Sequence, residues 1–270
     1  MNKKTYVIIP AHNEEGRVGK VIEEVLKYLI DDGKVFKTGH IYKPINEIEW
    51  EEDFMKVNKP LAFQVPYLHS YNRFSDGSMI IIGSKSGQGK THCAVNFLER
   101  SVKQGIYPRL LCTEAGSKFG IISATRGLKV GDYGWKIVND PSTVELVDNG
   151  VTILDWLSAP ESDYSKMESI YSRLNDQLKI HGGLLIIFAQ LKSETGGFYA
   201  QDMTKFYGSF VGKYLWTPIK DSNGGTRDWD NTNTYIQSTK MRDSKIGKQY
   251  IQIPMHYNDK NKEITLRGIK

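Results

Sequence analysis

The chain has 270 residues, 39% hydrophobic and 25% charged, with a formal net charge of +5. That is the make-up of a soluble globular protein, and the mild positive charge admits a polyanionic partner without requiring one. The longest apolar runs, such as "LLIIFA" at 184–189, are too short to span a bilayer, so no membrane association is expected.

Residues 1–28, "MNKKTYVIIPAHNEEGRVGKVIEEVLKY", predict a strand, a polar turn and an amphipathic helix. Val18, Val21, Ile22, Val25, Leu26 and Leu29 recur at helical spacing. The apolar run near the start is short and polar residues follow at once, so it is not read as a secretory signal. Residues 31–75 show no sustained period, and "PINEIEWEEDFMKV" predicts at most one short helix.

From Asp76 onward the pattern becomes regular. "SMIIIG" predicts a strand and "KTHCAVNFLERSVKQG" a helix closed by Gly105. "YPRLLCTEAG" and "GVTILDWL" predict two further strands. "SKMESIYSRLNDQLKIHGG" predicts a helix of about five turns stopped by two glycines. "LLIIFAQLK" predicts a fourth strand. "NTYIQSTKMR" and "KQYIQIPMHY", joined by "DSKIG", predict a β-hairpin, and "KEITLRGI" a last strand. Apolar strands alternating with helices imply an α/β fold: a mostly parallel central sheet, helices on both faces and a C-terminal β-hairpin. Cys93 and Cys112 suit neither a disulfide framework nor a metal site. They are read as core residues of a cytoplasmic protein.

The segment Ser84-Lys85-Ser86-Gly87-Gln88-Gly89-Lys90-Thr91-His92 sits between an apolar strand and an amphipathic helix. Backbone N–H groups at a helix N-terminus bind phosphate, and glycines let the backbone approach it. Lys90 is placed to reach the β- and γ-phosphates of ATP, and the Thr91 hydroxyl to coordinate Mg²⁺. Ser84 stands where the usual pattern has its first glycine. Three further polar residues fall at ends of predicted strands, where ligands of open α/β sheets bind. Asp155 is a candidate metal-side carboxylate, Glu114 a candidate general base, and Gln190 a candidate γ-phosphate or water sensor.

From about residue 65 to 266 these motifs resemble, in order, the RecA-like ATPase core of the DnaB-type (superfamily 4) replicative helicases. "LLCTEAGS" is similar to the segment with the catalytic glutamate, although Ala115-Gly116-Ser117 follows Glu114 where the family has Met-Ser. "VTILDWL" resembles the Walker B strand, and "LIIFAQLK" the sensor strand. "STKMRDSKIGKQYIQIPMHY" resembles a late hairpin whose Lys-x-Arg pair reaches the nucleotide of the neighbouring subunit, which implies that role for Lys240 and Arg242. The resemblance implies a DNA-dependent ATPase or helicase that binds single-stranded DNA without sequence preference. It also implies assembly of identical subunits, as in a hexameric ring. Residues 192–213, Gly-rich and aromatic with Lys192, Lys205 and Lys213, are the expected DNA-contacting segment. A regulatory or loader-like ATPase that binds a partner without translocating is the alternative, since no full-size helical collar precedes the core.

Residues 1–28 also resemble the opening of family-2 glycosyltransferases, which begin with a strand, Pro-x-x-Asn-Glu and a helix. "IDDG" at 30–33 and "DWD" at 228–230 echo metal-type motifs of that family in the wrong context. Pro10, Asn13 and Glu14 are therefore expected to shape a turn and cap a helix. The expected organisation is an accessory strand–helix segment over 1–30, a linker over 31–64 and an ATPase domain over 65–270.

Overall fold

"SMIIIGS" carries seven consecutive buried residues, the signature of a strand covered on both faces. The computed structural model describes residues 15–31, 35–38, 41–44, 59–113, 117–129, 131–138, 140, 143–157, 164–192, 197–198, 201–220, 222 and 226–267. Pro10, Asn13, Glu14 and the short helix expected after Pro44 lie outside these residues. Among the described residues no helix is long and apolar enough to cross a membrane.

The chain divides into two units, residues 1–54 and 55–270. The first holds α1 (Glu15–Asp31) and a two-stranded antiparallel pair, β1 (Val35–Thr38) and β2 (Ile41–Pro44). The pair is absent from the sequence expectation, because four-residue strands are too short to show a period. In α1, Val25, Leu26 and Leu29 are half-buried, while Ile22 and Tyr28 are exposed.

The second unit is built on one nine-stranded sheet. Its strands are β3 (Ser78–Ser84), β4 (Arg109–Cys112), β5 (Gly134–Ile137), β6 (Val151–Leu157), β7 (Leu184–Gln190), β8 (Phe210–Lys220), β9 (Thr226–Met241), β10 (Gln252–Asn258) and β11 (Glu263–Leu266). The spatial order is β11-β10-β9-β8-β3-β7-β6-β4-β5. From β8 to β5 all neighbours are parallel, and from β8 to β11 all are antiparallel. The sheet is thus mixed: five of its eight pairings are parallel and three antiparallel, so the mostly parallel expectation is met in part. The late hairpin is the middle of a four-stranded antiparallel half. The cause is β8, hidden in a Gly-rich stretch: Gly212 reads as a loop residue, yet β8 pairs with β3 on one side and β9 on the other.

Helices α2 (Lys90–Val102) and α3 (Ser117–Thr125) contribute to the core on one face of the sheet, with Ile82, Ile153, Phe188, Cys93 and Ile122. Helix α4 (Tyr164–His181) packs on the other face through Met167, Tyr171, Leu174 and Leu178 against Ile81, Leu154 and Ile187. A short helix, α5 (Gln201–Tyr207), lies in the segment expected to be a loop.

Helix α2 is fixed along its length. Asn96, fully buried, donates to the carbonyls of His92 (2.8 Å) and Lys262 (2.9 Å) and accepts from Ile264 N (2.8 Å). One turn on, the Arg100 guanidinium lies over the Tyr67 ring and donates to its hydroxyl at 2.7 Å. These bonds tie the phosphate-loop helix to β11 and to the segment entering the sheet.

Candidate functional site

The phosphate loop leaves β3 at Ser84 and enters α2 at Lys90. Gly87 (φ +76°) and Gly89 (φ +84°) both take left-handed backbone that other residues adopt only at a cost. Gly89 is the N-cap of α2 and no side chain caps that end, so the first N–H groups of a 13-residue helix face the loop. Lys90, only 8% exposed, turns back into it. Its Nζ donates to the carbonyls of Ser84 (3.4 Å) and Lys85 (3.1 Å) and to Gln190 Oε1 (2.7 Å). Ser86 and Gly87 are exposed, and Thr91 is half-buried in the first turn of α2.

Strand pairing brings the other polar residues to this place. Ser84 lies in register with Gln190, and Asp155 in register with Phe188 and Cys112. Alternation along the strands puts Ser84, Asp155 and Gln190 on one face of the sheet, that of Ile82, Ile153 and Phe188, against which α2 packs. Asp155 lies two residues, roughly 7 Å, short of the level of Gln190. It is 3% exposed. Burial, and after it the Asp155 charge, pushes the Cys93 thiol up and the Cys112 thiol up to about 12, the latter opposed by a hydrogen bond with Trp135. Both thiols are free, buried and protonated, in keeping with core roles.

Several expected site residues lie elsewhere. Glu114 falls outside the described residues. His92 stacks on Tyr257 of β10 (ring centroids 5.2 Å apart). Asp230, of the metal-type triplet, accepts hydrogen bonds from the Thr232 and Asn233 backbone N–H groups, shaping an irregularity of β9 instead. Lys240 and Arg242 hold carbonyls at the end of α5: Lys240 Nζ donates to Lys205 O, and Arg242 Nη2 to Phe206 O at 3.1 Å.

Two arrangements around the loop were not legible in the sequence, although Lys213 stood in the expected DNA-contacting segment. Lys213 pairs in register with Gly83 at the base of the loop. Burial, then the charges of Lys205 and Lys85, holds its ammonium below the usual lysine range, which marks a cationic corner beside the loop. The second is why Gly83 precedes Ser84. A Cβ on Gly83 would lie 2.5 Å from the side chains of both Leu191 and Phe198, buried residues whose backbones pair in a short antiparallel bridge just beyond Gln190. The glycine displaced from the usual loop position serves this close approach. Gly83→Ala is expected to cost about 1–3 kcal/mol by forcing these side chains aside, read as a lowered urea midpoint. An unchanged midpoint would show that the packing has room.

The loop suits a nucleotide's phosphates on its own evidence. Ser84 Oγ and Gln88 Oε1 are buried without hydrogen-bond partners among the described residues; the Ser84 hydroxyl can donate to a phosphate oxygen, relieving a cost of about 1–3 kcal/mol, whereas the Gln88 oxygen is an acceptor that a phosphate does not satisfy. Around them stand Lys90, Lys85 and the uncapped helix end. Among the described residues no cluster of three or more His, Cys, Asp or Glu could hold a metal. A cation here would need phosphate oxygens as co-ligands, which is how Mg²⁺ binds beside one or two carboxylates.

No protein-family model matches the sequence, and no curated protein does. Solved structures do match. One is a DnaB-like replicative helicase, described together with its interactions with primase. It superposes with a TM-score of 0.53 at 12% identity, over 92% of this chain and 74% of that one. The likeness is distant and one of fold: this chain has an α/β architecture that resembles a helicase fold, with a mixed sheet.

Proposed function

We propose that this chain is an ATP-hydrolysing, RecA/DnaB-like motor that acts on single-stranded DNA as an assembly of identical subunits. The supporting observation is the joining of Lys90 to Gln190, with Asp155 on the same sheet face, at the carboxyl ends of adjacent strands. Lys90 and the N–H groups of residues 84–92 would hold the phosphates, and Thr91 and Asp155 the metal. Glu114 would take the proton of the attacking water. Gln190, hydrogen-bonded to Lys90, would exchange that contact for the γ-phosphate and pass the change to Leu191 and Phe198. Mg²⁺-ATP, when bound, supplies the phosphoanhydride whose hydrolysis drives the cycle. Lys240 and Arg242 would complete a neighbour's site.

The DNA contact is read in α5. Lys205 is exposed and Phe206 is 69% exposed, an aromatic and a cation side by side on one helix. Base–aromatic stacking contributes about 1–3 kcal/mol per base. Phe206→Ala is therefore expected to weaken single-stranded DNA binding about tenfold, measured by fluorescence anisotropy at low salt. ATPase activity with and without single-stranded DNA tests the motor itself. Stimulation that fades with salt supports it, whereas DNA-independent turnover points to a regulatory ATPase that does not translocate.

A further inference from the structure

Lys240 and Arg242 are the cations that the proposed function sends to another subunit, yet both are engaged within their own chain. Lys240 Nζ donates to Lys205 O and Arg242 Nη2 to Phe206 O, while Arg242 N donates to Ser209 O at 2.9 Å. The first two carbonyls belong to the last turn of α5. A helix end leaves such carbonyls without intrahelical donors and carries the negative pole of the dipole, so cations are favoured there. Among the described residues neither cation is held by a carboxylate. Burial, and then the neighbouring Arg242 charge, holds the Lys240 ammonium below its ordinary range. Two like charges side by side on neutral acceptors form a contact that an anion can outbid, because charge-assisted bonds to phosphate are roughly twice as strong as neutral ones.

We infer that the end of α5 is a latch: it holds Lys240 and Arg242 in the lone subunit and gives them up to the phosphates of a nucleotide bound by a second copy of the chain. Release returns the α5 carbonyls to water and loosens the helix that carries Lys205 and Phe206. Assembly on nucleotide is thereby coupled to mobility of the proposed DNA contact. The latch itself rests on the contacts above, whereas its release rests on the proposed function for the competing anion, the second subunit that holds it and the DNA contact on α5.

Hydrogen–deuterium exchange of the α5 and β8 amides tests it. In dilute protein without nucleotide, K240A/R242A is expected to raise α5 exchange about tenfold while β8 keeps its protection. Arg242→Lys, which keeps a cationic donor, retains most of the wild-type protection and guards against simple misfolding. Adding Mg²⁺ and a non-hydrolysable ATP analogue at assembling concentration raises wild-type α5 exchange toward that of the double variant, which itself changes no further. Equal α5 exchange in wild type and double variant without nucleotide removes the latch. Assembled wild type that keeps α5 protected removes the release. Absence of analogue binding, followed separately by titration, overturns the proposed function and the release with it, while the nucleotide-free comparison still decides whether the latch exists.

Discussion

Lys90→Ala is expected to lower ATP turnover by at least about a hundredfold and to weaken nucleotide binding, with little loss of folded structure. Lys90 is the point where three separate pieces of chain meet. It draws in the carbonyls of Ser84 and Lys85 from its own loop and Gln190 Oε1 from a strand 100 residues further on. Its removal deletes the cation that would face the β- and γ-phosphates and leaves Gln190 without that donor. Arginine is no substitute, because its planar fork is bulkier and cannot act as a compact point charge in a site only 8% exposed. Steady-state ATPase assays with nucleotide titration check this. Wild-type turnover in Lys90→Ala would move the active site away from this loop altogether.

The second large effect concerns the scaffold that holds α2. Arg126, which follows α3, donates through Nε to Glu99 Oε2 at 3.1 Å and through Nη2 to the same oxygen. It also reaches the Asn261 carbonyl at 3.4 Å and Glu263 Oε1 at 3.5 Å. Both partners are enclosed, with side chains 7% and 5% exposed, and Lys103 adds a second cation 2.5 Å from Glu99 Oε1. Removing Arg126 leaves this enclosed carboxylate with Lys103, whose side chain is 66% exposed, as its remaining cation among the described residues. Arg126→Ala is accordingly expected to destabilise the protein by about 3 kcal/mol in urea unfolding. A loss below about 1 kcal/mol would mean that the pair behaves as a surface contact.

The same pair predicts a pH dependence. Burial raises the Glu99 carboxyl, but hydrogen bonds and charge from Lys103 and Arg126 outweigh it and hold the group below the usual glutamate range. Its folded pKa is therefore below its unfolded value of about 4.3. The stabilisation is present in full above that value and is lost as the pH falls through the folded pKa. Wild type should lose stability on acidification more steeply than Arg126→Ala, so that their unfolding midpoints converge at low pH. Parallel curves would exclude the pair as the source.

How much of this was legible in the sequence depends on the range of the forces involved. Strands β3 and β7 announce themselves by apolar runs, and β6 by the Ile153-Leu154 centre of its segment, because residues 78–84, 151–155 and 184–189 are buried. Helix α4 shows its period over 18 residues and ends where Gly182 and Gly183 stop it. Strand β5, "GWKI", did not show, since it is a half-exposed edge of four residues with Trp135 and Ile137 open to solvent. Helix α3 is short and interrupted by Gly120, so its sequence carries little local preference. Strand β8 begins among glycines and is made a strand by neighbours on both sides. A strand's preference is set largely by such context.

Ser84, Lys90, Thr91, Asp155 and Gln190 were visible as candidates because strand, turn and helix punctuation is local chemistry, written within a dozen residues. That Gln190 touches Lys90 was not visible, nor that Gly83 makes room for Leu191 and Phe198, nor that Lys240 and Arg242 close on α5. Those contacts depend on which strands lie side by side. That order follows from hydrogen bonding and burial between segments more than a hundred residues apart, which no local pattern encodes.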